Sequence, residues 1–207
     1  MSISTYPRLL GDVGGTNARF AWALSAEAPL SEFASYHCAD HQSLQAAITE
    51  YLQAYGKPAP RACAIGIANP ITGDRVQMTN HHWSFSISKL KQDLALARLA
   101  VVNDFTALAL SLPALDNTDL RGLGGGRAVP GEPLAVIGPG TGLGVSGLLP
   151  SPSGAHVAVA GEGGHTTLAA NDDEEVAVLS LLRERFGHVS AERALSGPGL
   201  VNLYMAS

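Results

Sequence analysis

Cysteine is nearly missing from this 207-residue chain. Cys38 and Cys63 stand alone, in neither C-x-x-C nor zinc spacing, which excludes a disulfide framework and a cysteine-held metal and points to a reducing compartment. Charge is scarce as well: Asp, Glu, Lys and Arg make up 15% of the residues, against roughly 25% in an average soluble protein. The net charge of −5 comes without any Lys/Arg-rich run, so a nucleic-acid-binding face has no electrostatic support. No apolar stretch reaches the ~18 residues of a membrane span, and LALARLAVV is broken by Arg98. The N-terminal MSISTYPRLLGDVGG lacks a basic segment followed by an apolar run of about 7 to 15 residues, so the expectation is no signal peptide and a cytoplasmic protein.

Two phosphate-binding signatures are absent too. No Lys follows the glycines of LLGDVGGTNARFAWAL, which rules out a P-loop there. Ala18, Phe20, Trp22 and Leu24 fall two apart, the spacing of a strand, so these glycines do not open a helix as a dinucleotide fingerprint requires.

What is present is alternation. RLLGDV, NARFAWAL and SEFASYHC read as strands, followed by a helix from about His41 to Tyr55 with Leu44, Ala47, Ile48, Tyr51 and Leu52 on one face. RACAIGIAN reads as a buried strand closed by Pro70 and the turn Thr72-Gly73-Asp74. A helix from about Ser86 to Leu96 leads to the strand LAVVND, and a further helix from about Phe105 to Leu112 is stopped by Pro113. The Gly-rich stretch from Asn117 to Pro133 is read as the junction of two lobes, residues 1–116 and 117–207.

Beyond it, PLAVIG reads as a second buried strand, and GPGTGLGVSGLL repeats the opening order of strand, glycine turn and strand. Gly14-Gly15-Thr16 and Gly140-Thr141-Gly142 are each compatible with a plain hairpin, since Gly takes positive φ at little cost. Their repetition, one in each half, favours two similar lobes whose backbone N–H groups grip one polyphosphate.

Phosphoryl transfer to an alcohol needs positioning, charge neutralisation and a carboxylate to accept the hydroxyl proton. Asp104 lies just past the strand LAVVN, where open α/β sheets place their ligands, although Asp there could simply cap the following helix and Asn103 could be a turn residue. In AGEGGHTTL, Glu162 and His165 stand among glycines that let backbone approach a ligand, and could bond neighbouring sugar hydroxyls or form part of a metal site. Glu192 fits the first turn of a helix starting near Ser190, where the macrodipole favours it. The remaining histidines have no spacing that compels a role.

GDVGGTNAR, VVNDFTALAL, GPGTGLG, AGEGGH and SAERALSGPGLVNLY, in that order, closely resemble bacterial glucokinases of the proteobacterial type, and ANPITGD and MTNHHWSFSI resemble that family's sugar-side loops. The resemblance covers nearly the whole chain. It implies an α/β, actin-like ATPase (ribonuclease H-like) two-lobe fold with the second lobe incomplete, and ATP-dependent phosphorylation of glucose at the 6-hydroxyl, the first step of glycolysis. By position it makes Asp104 the catalytic base and Asn103, Glu162, His165 and Glu192 the sugar ligands. Gly11, Asp12, Val13, Gly14, Gly15, Thr16 and Asn17 would form one phosphate loop, and Gly140, Thr141 and Gly142, within Gly138 to Gly144, the other. Asp12 would hold magnesium through water, closure would follow sugar binding, and the protein would be a homodimer.

These glucokinases continue past LVNLYMAS, so reduced nucleotide affinity is expected of the 207 residues. Exposed apolar surface around Val176, Val178, Leu179, Leu181 and Leu182, with self-association, is expected as well. Two other readings are a non-catalytic sugar-binding remnant and a sugar-responsive regulator; against the latter, no helix-turn-helix precedes Leu9 and no zinc-type cysteine cluster is present.

Overall fold

The computed structural model describes residues 5–79 and 81–206. It divides into two compact units, Met1–Ala107 and Leu108–Ser207.

The first unit is built on a five-stranded sheet. β1 (Arg8–Val13) and β2 (Asn17–Ala23) form the expected hairpin, and β3 (Ser31–His37) continues it antiparallel on the far side of β2. β4 (Ala62–Ile67) and β7 (Arg98–Asn103) run parallel to β1, giving the order β3-β2-β1-β4-β7; β5 (Arg75–Gln77) and β6 (Ser84–Ser86) form a small ribbon beside it.

Alternation accounts for Ala18, Phe20 and Trp22 of β2, which are buried, but Ala21 and Ala23 between and after them are buried as well, and Leu24, the next in the period-two series, lies past the strand and is exposed. Helix α1 (Leu44–Ala54) starts three residues later than its pattern suggested because the Ser43 hydroxyl accepts the Ala46 N–H at 3.1 Å and so caps it. Cys38–Asp40 forms a separate 3-10 turn before it. Leu44, Ala47, Ile48 and Tyr51, at helical spacing, are all buried against the sheet. Each large side chain among them contributes about 2 kcal/mol of hydrophobic stabilisation. Helix α2 (Ile87–Asp93) leads to β7, and α3 (Asp104–Ser111) follows it directly.

The loop between β4 and β6 is tied down by named bonds. Asn69, nearly buried, accepts from the Thr79 N–H at 3.0 Å and the Thr79 hydroxyl at 2.8 Å. Trp83 is buried and donates from Nε1 to the His41 carbonyl at 2.9 Å.

In the second unit, β8 (Leu134–Pro139), β9 (Leu143–Pro150) and β10 (His156–Gly161) make an antiparallel sheet in the order β10-β9-β8. PLAVIG is not the buried strand its apolar run suggests: β8 is an edge of this sheet, none of its residues is buried, and Ile137 is exposed. Helices α4 (Asp173–Phe186) and α5 (Gly197–Ala206) follow. α4 shows its polarity in sequence: Asp172 caps it by accepting the Glu175 N–H at 2.8 Å, acids fill its first turn, and Arg183 and Arg185 its last. Gly187, at φ 71°, ends it in a conformation that glycine takes without strain. Leu179 and Leu182 are buried with Val189, whereas Val176 and Leu181 are exposed. On α5 the exposed apolar residues Leu200, Val201, Tyr204 and Met205 share one face.

Candidate active site

Asp12, Gly66 and Val102 are aligned across the parallel strands β1, β4 and β7, which brings Asp12 and the start of α3 to the same end of the sheet. A Cβ on Gly66 would lie 3.3 Å from the Ala107 Cβ and 3.7 Å from the Asp104 Cα. The missing side chain lets the first turn of α3 approach β4. A glycine inside a buried strand is the usual sign of such an approach, and RACAIGIAN carried it unread.

Asn103, not Asp104, caps α3: its Oδ1 accepts the Thr106 N–H at 3.1 Å. That bond fixes the amide so that Nδ2 donates to Asp104 Oδ1 at 2.9 Å. The same oxygen accepts the Phe105 N–H at 2.9 Å, and among the described residues Asp104 Oδ2 accepts no hydrogen bond. Burial pushes the Asp104 carboxyl above the usual carboxylate range. The backbone N–H donors oppose this, and the negative charge of Asp12 adds to it.

Gly11, Asp12 and Val13 lie within β1 and Asn17 within β2, so the turn proper is Gly14–Thr16, closed by the Gly14 N–H donating to the Asn17 carbonyl at 2.9 Å. Cys38 holds it from behind: its N–H donates to the Thr16 carbonyl at 2.8 Å and its Sγ contacts the Gly14 carbonyl at 3.5 Å. Asp12 faces Arg19 across the hairpin, with Oδ2 2.9 Å from Nη1. Both side chains are largely exposed, so the pair is weak and open to exchange.

In the second unit the turn is Gly140–Gly142, with the Gly140 N–H donating to the Gly142 carbonyl at 2.8 Å. Glu192 lies on a short 3-10 turn, Ala191–Arg193, and not in the first turn of an α-helix as its surroundings suggested. Its Oε2 accepts the Leu143 N–H at 2.9 Å, and its Oε1 is 3.8 Å from His165 Nε2. His165 ends the 3-10 turn Gly163–His165, which lies against β9: a Cβ on Gly164 would strike the Leu143 backbone, and one on Gly163 would lie 3.0 Å from Val145. Glu162 is exposed; its carbonyl accepts the His165 N–H at 2.9 Å, and its side chain bonds neither His165 nor Glu192.

Within the first unit the structure therefore joins Asp12, Asn103 and Asp104, and within the second it joins Gly142, His165 and Glu192. Among the described residues no group of three His, Cys, Asp or Glu side chains is placed to hold a metal ion.

A β3-β2-β1-β4-β7 sheet with an aspartate at the end of its last parallel strand, and a strand–glycine turn–strand in each unit, define the class: an α/β protein of the actin-like ATPase fold. Residues 9–207 match the family described as Glucokinase, and the chain belongs to the glucokinase family. It is 56% identical over 203 residues to a glucokinase of Aromatoleum aromaticum, a match covering 98% of this chain and 61% of that one. It is 47% identical over 210 residues to a glucokinase of Campylobacter jejuni subsp. doylei, covering 100% of this chain and 63% of that one. A crystal structure of a glucokinase from an Antarctic psychrotroph superposes with a TM-score of 0.87 at 37% identity, covering 97% of this chain and 63% of that one. The chain thus spans about three-fifths of the length of the relatives it matches.

Proposed function

We propose that the polypeptide bearing this sequence transfers the terminal phosphoryl group of ATP to the 6-hydroxyl of glucose. The observation that carries this reading is the Asp104 carboxylate, anchored through one oxygen by Asn103 and Phe105 with the other oxygen unbonded among the described residues. Oδ2 accepts the proton of the attacking hydroxyl, while Asn103 keeps the carboxylate in one orientation. Asn103 has a second Nδ2 proton for a sugar oxygen, and Glu162, His165 and Glu192 are read as sugar ligands from their match to the family motifs. Gly14–Thr16 and Gly140–Gly142 offer backbone N–H groups to the polyphosphate.

Asp12 suits magnesium, which takes one or two carboxylates and keeps several waters: it offers an exposed carboxylate whose one hydrogen-bonded partner among the described residues, Arg19, is exchangeable. Bound there, the ion would supply positive charge to offset that of the phosphates.

No helix among the described residues is long and apolar enough to cross a membrane. Burial pushes the Cys63 thiol up to about 12 and raises that of Cys38, so both are unreactive thiols suited to a reducing cytoplasm. The homodimeric state belongs to the same proposal.

Because the chain spans three-fifths of its relatives' length, a second reading is sugar binding by these 207 residues without turnover. Calorimetry with glucose and, separately, with ATP tests both. The 207 residues are expected to bind glucose and to bind ATP more weakly than the Aromatoleum relative does. Absence of glucose binding overturns the hexose assignment. ATP affinity and glucose-dependent ADP release equal to that relative's overturn the expected nucleotide defect.

A further inference from the structure

Glu192 uses the two oxygens of one carboxylate for two different elements. Oε2 accepts the N–H of Leu143, the residue that follows the Gly140–Gly142 turn, and lies where a side chain on Gly142 would have to go. Oε1 faces His165, on the side assigned above to the sugar. The segment carrying Glu192 is bound to the same turn a second time: the Gly197 N–H donates to the Gly140 carbonyl at 2.8 Å. The Ser196 hydroxyl closes the connection by donating to the Glu192 carbonyl at 2.8 Å. A residue that only bound sugar would have no reason to hold the backbone N–H that immediately follows the glycine turn, 49 residues away in sequence.

We propose that Glu192 couples the two substrates: it fixes the second glycine turn in its phosphate-accepting shape through Oε2 and engages the hexose through Oε1. Hexose binding orients the carboxylate, the carboxylate orients the Leu143 N–H and the turn, and polyphosphate meets a preformed site. Linkage makes the effect reciprocal, so each ligand tightens the other by the same factor. The inference rests on the assignment of Gly140–Gly142 to phosphate and of His165 and Glu192 to glucose.

The test uses magnesium tripolyphosphate, which needs no adenine pocket, titrated by calorimetry into the 207-residue chain with and without saturating glucose. Glu192→Ala, Glu192→Gln and His165→Ala are compared with the parent, and exchange of the Leu143 amide is followed alongside. Expected of Glu192→Ala is about tenfold weaker tripolyphosphate binding even without glucose, a faster-exchanging Leu143 amide, and no tightening by glucose. Glu192→Gln keeps an acceptor for Leu143 and should retain the turn's protection. His165→Ala should lose glucose affinity and keep the sugar-free tripolyphosphate affinity. Where Glu192→Ala unfolds the second unit, Glu192→Asp serves, being one methylene too short to span both elements.

The inference is overturned if Glu192→Ala loses glucose while its sugar-free tripolyphosphate affinity and Leu143 protection match the parent. A parent that binds tripolyphosphate but no glucose ends the hexose assignment, and with it the coupling. A parent that binds glucose but no tripolyphosphate ends the phosphate assignment and the coupling together.

Discussion

Asp104→Asn should leave glucose bound and lower turnover by about 10²- to 10⁴-fold, the range that general-base catalysis supplies. The substitution is nearly isosteric, and the amide oxygen can still accept the Phe105 N–H that Asp104 Oδ1 accepts now. It also leaves α3 capped, because that cap is Asn103. Burial raises the Asp104 carboxyl above its unfolded value, so its contribution to stability is complete in acid and is lost as pH rises through the folded value. Once ionised, the carboxylate is therefore a burden on the fold, and the Asn variant should melt no lower than the parent. For turnover the sign is opposite: the proposed base must be ionised, so the parent's rate should fall on the acid side at a higher pH than an unperturbed aspartate would give. Calorimetry with glucose, coupled assay of ADP release and thermal melting separate these effects. Equal loss of binding, rate and stability would make Asp104 a structural residue.

Gly164→Ala should be severely damaging to the second unit. Its Cβ would lie 2.9 Å from the Leu143 Cβ and 3.0 Å from the Leu143 carbonyl carbon, with the carbonyl oxygen nearer still. Backbone of β9 cannot rotate aside as a side chain could, so the 3-10 turn must lift away, at a cost of about 3 kcal/mol. Lifting it takes His165 from Glu192 and alters the presentation of Glu162. The expected result is a lower melting temperature together with loss of glucose binding. Gly147→Ala is the control, because its Cβ would make only an ordinary 3.6 Å contact with the Val159 Cβ. Parent-like melting and glucose affinity in Gly164→Ala would show that the turn's close seat on β9 is not needed.

Local patterns were legible where the determining contacts are local. The period-two apolar residues of β2, the single apolar face of α1 and both glycine turns stand in the structure as the sequence suggests. β10 was not recognised, because HVAVAG is largely exposed and its apolar residues mark no buried face. At the site, Asn103 and Asp104 are adjacent and both suit a cap; only the Thr106 N–H, bonded to Asn103, decides between them. Glu192 was ambiguous for a plainer reason. Its neighbours in sequence suggest a helix start, while its partners, Leu143 and His165, belong to other elements. The Asp12–Arg19 pair follows from the hairpin register once RLLGDV and NARFAWAL are joined by the three-residue turn that the pattern suggests; only the family resemblance extended the loop to Gly11–Asn17.

The two units differ sharply in what they bury. Under the first sheet, Leu9, Phe20, Trp22, Ile48, Tyr51, Ile65 and Trp83 belong to one contiguous cluster, whereas the second unit's cluster centres on Leu179, Leu182 and Val189. Heat or denaturant should therefore act on this chain in two steps, with the second unit opening while the first still resists. Van't Hoff and calorimetric enthalpies would then disagree, and no single midpoint would describe the whole molecule.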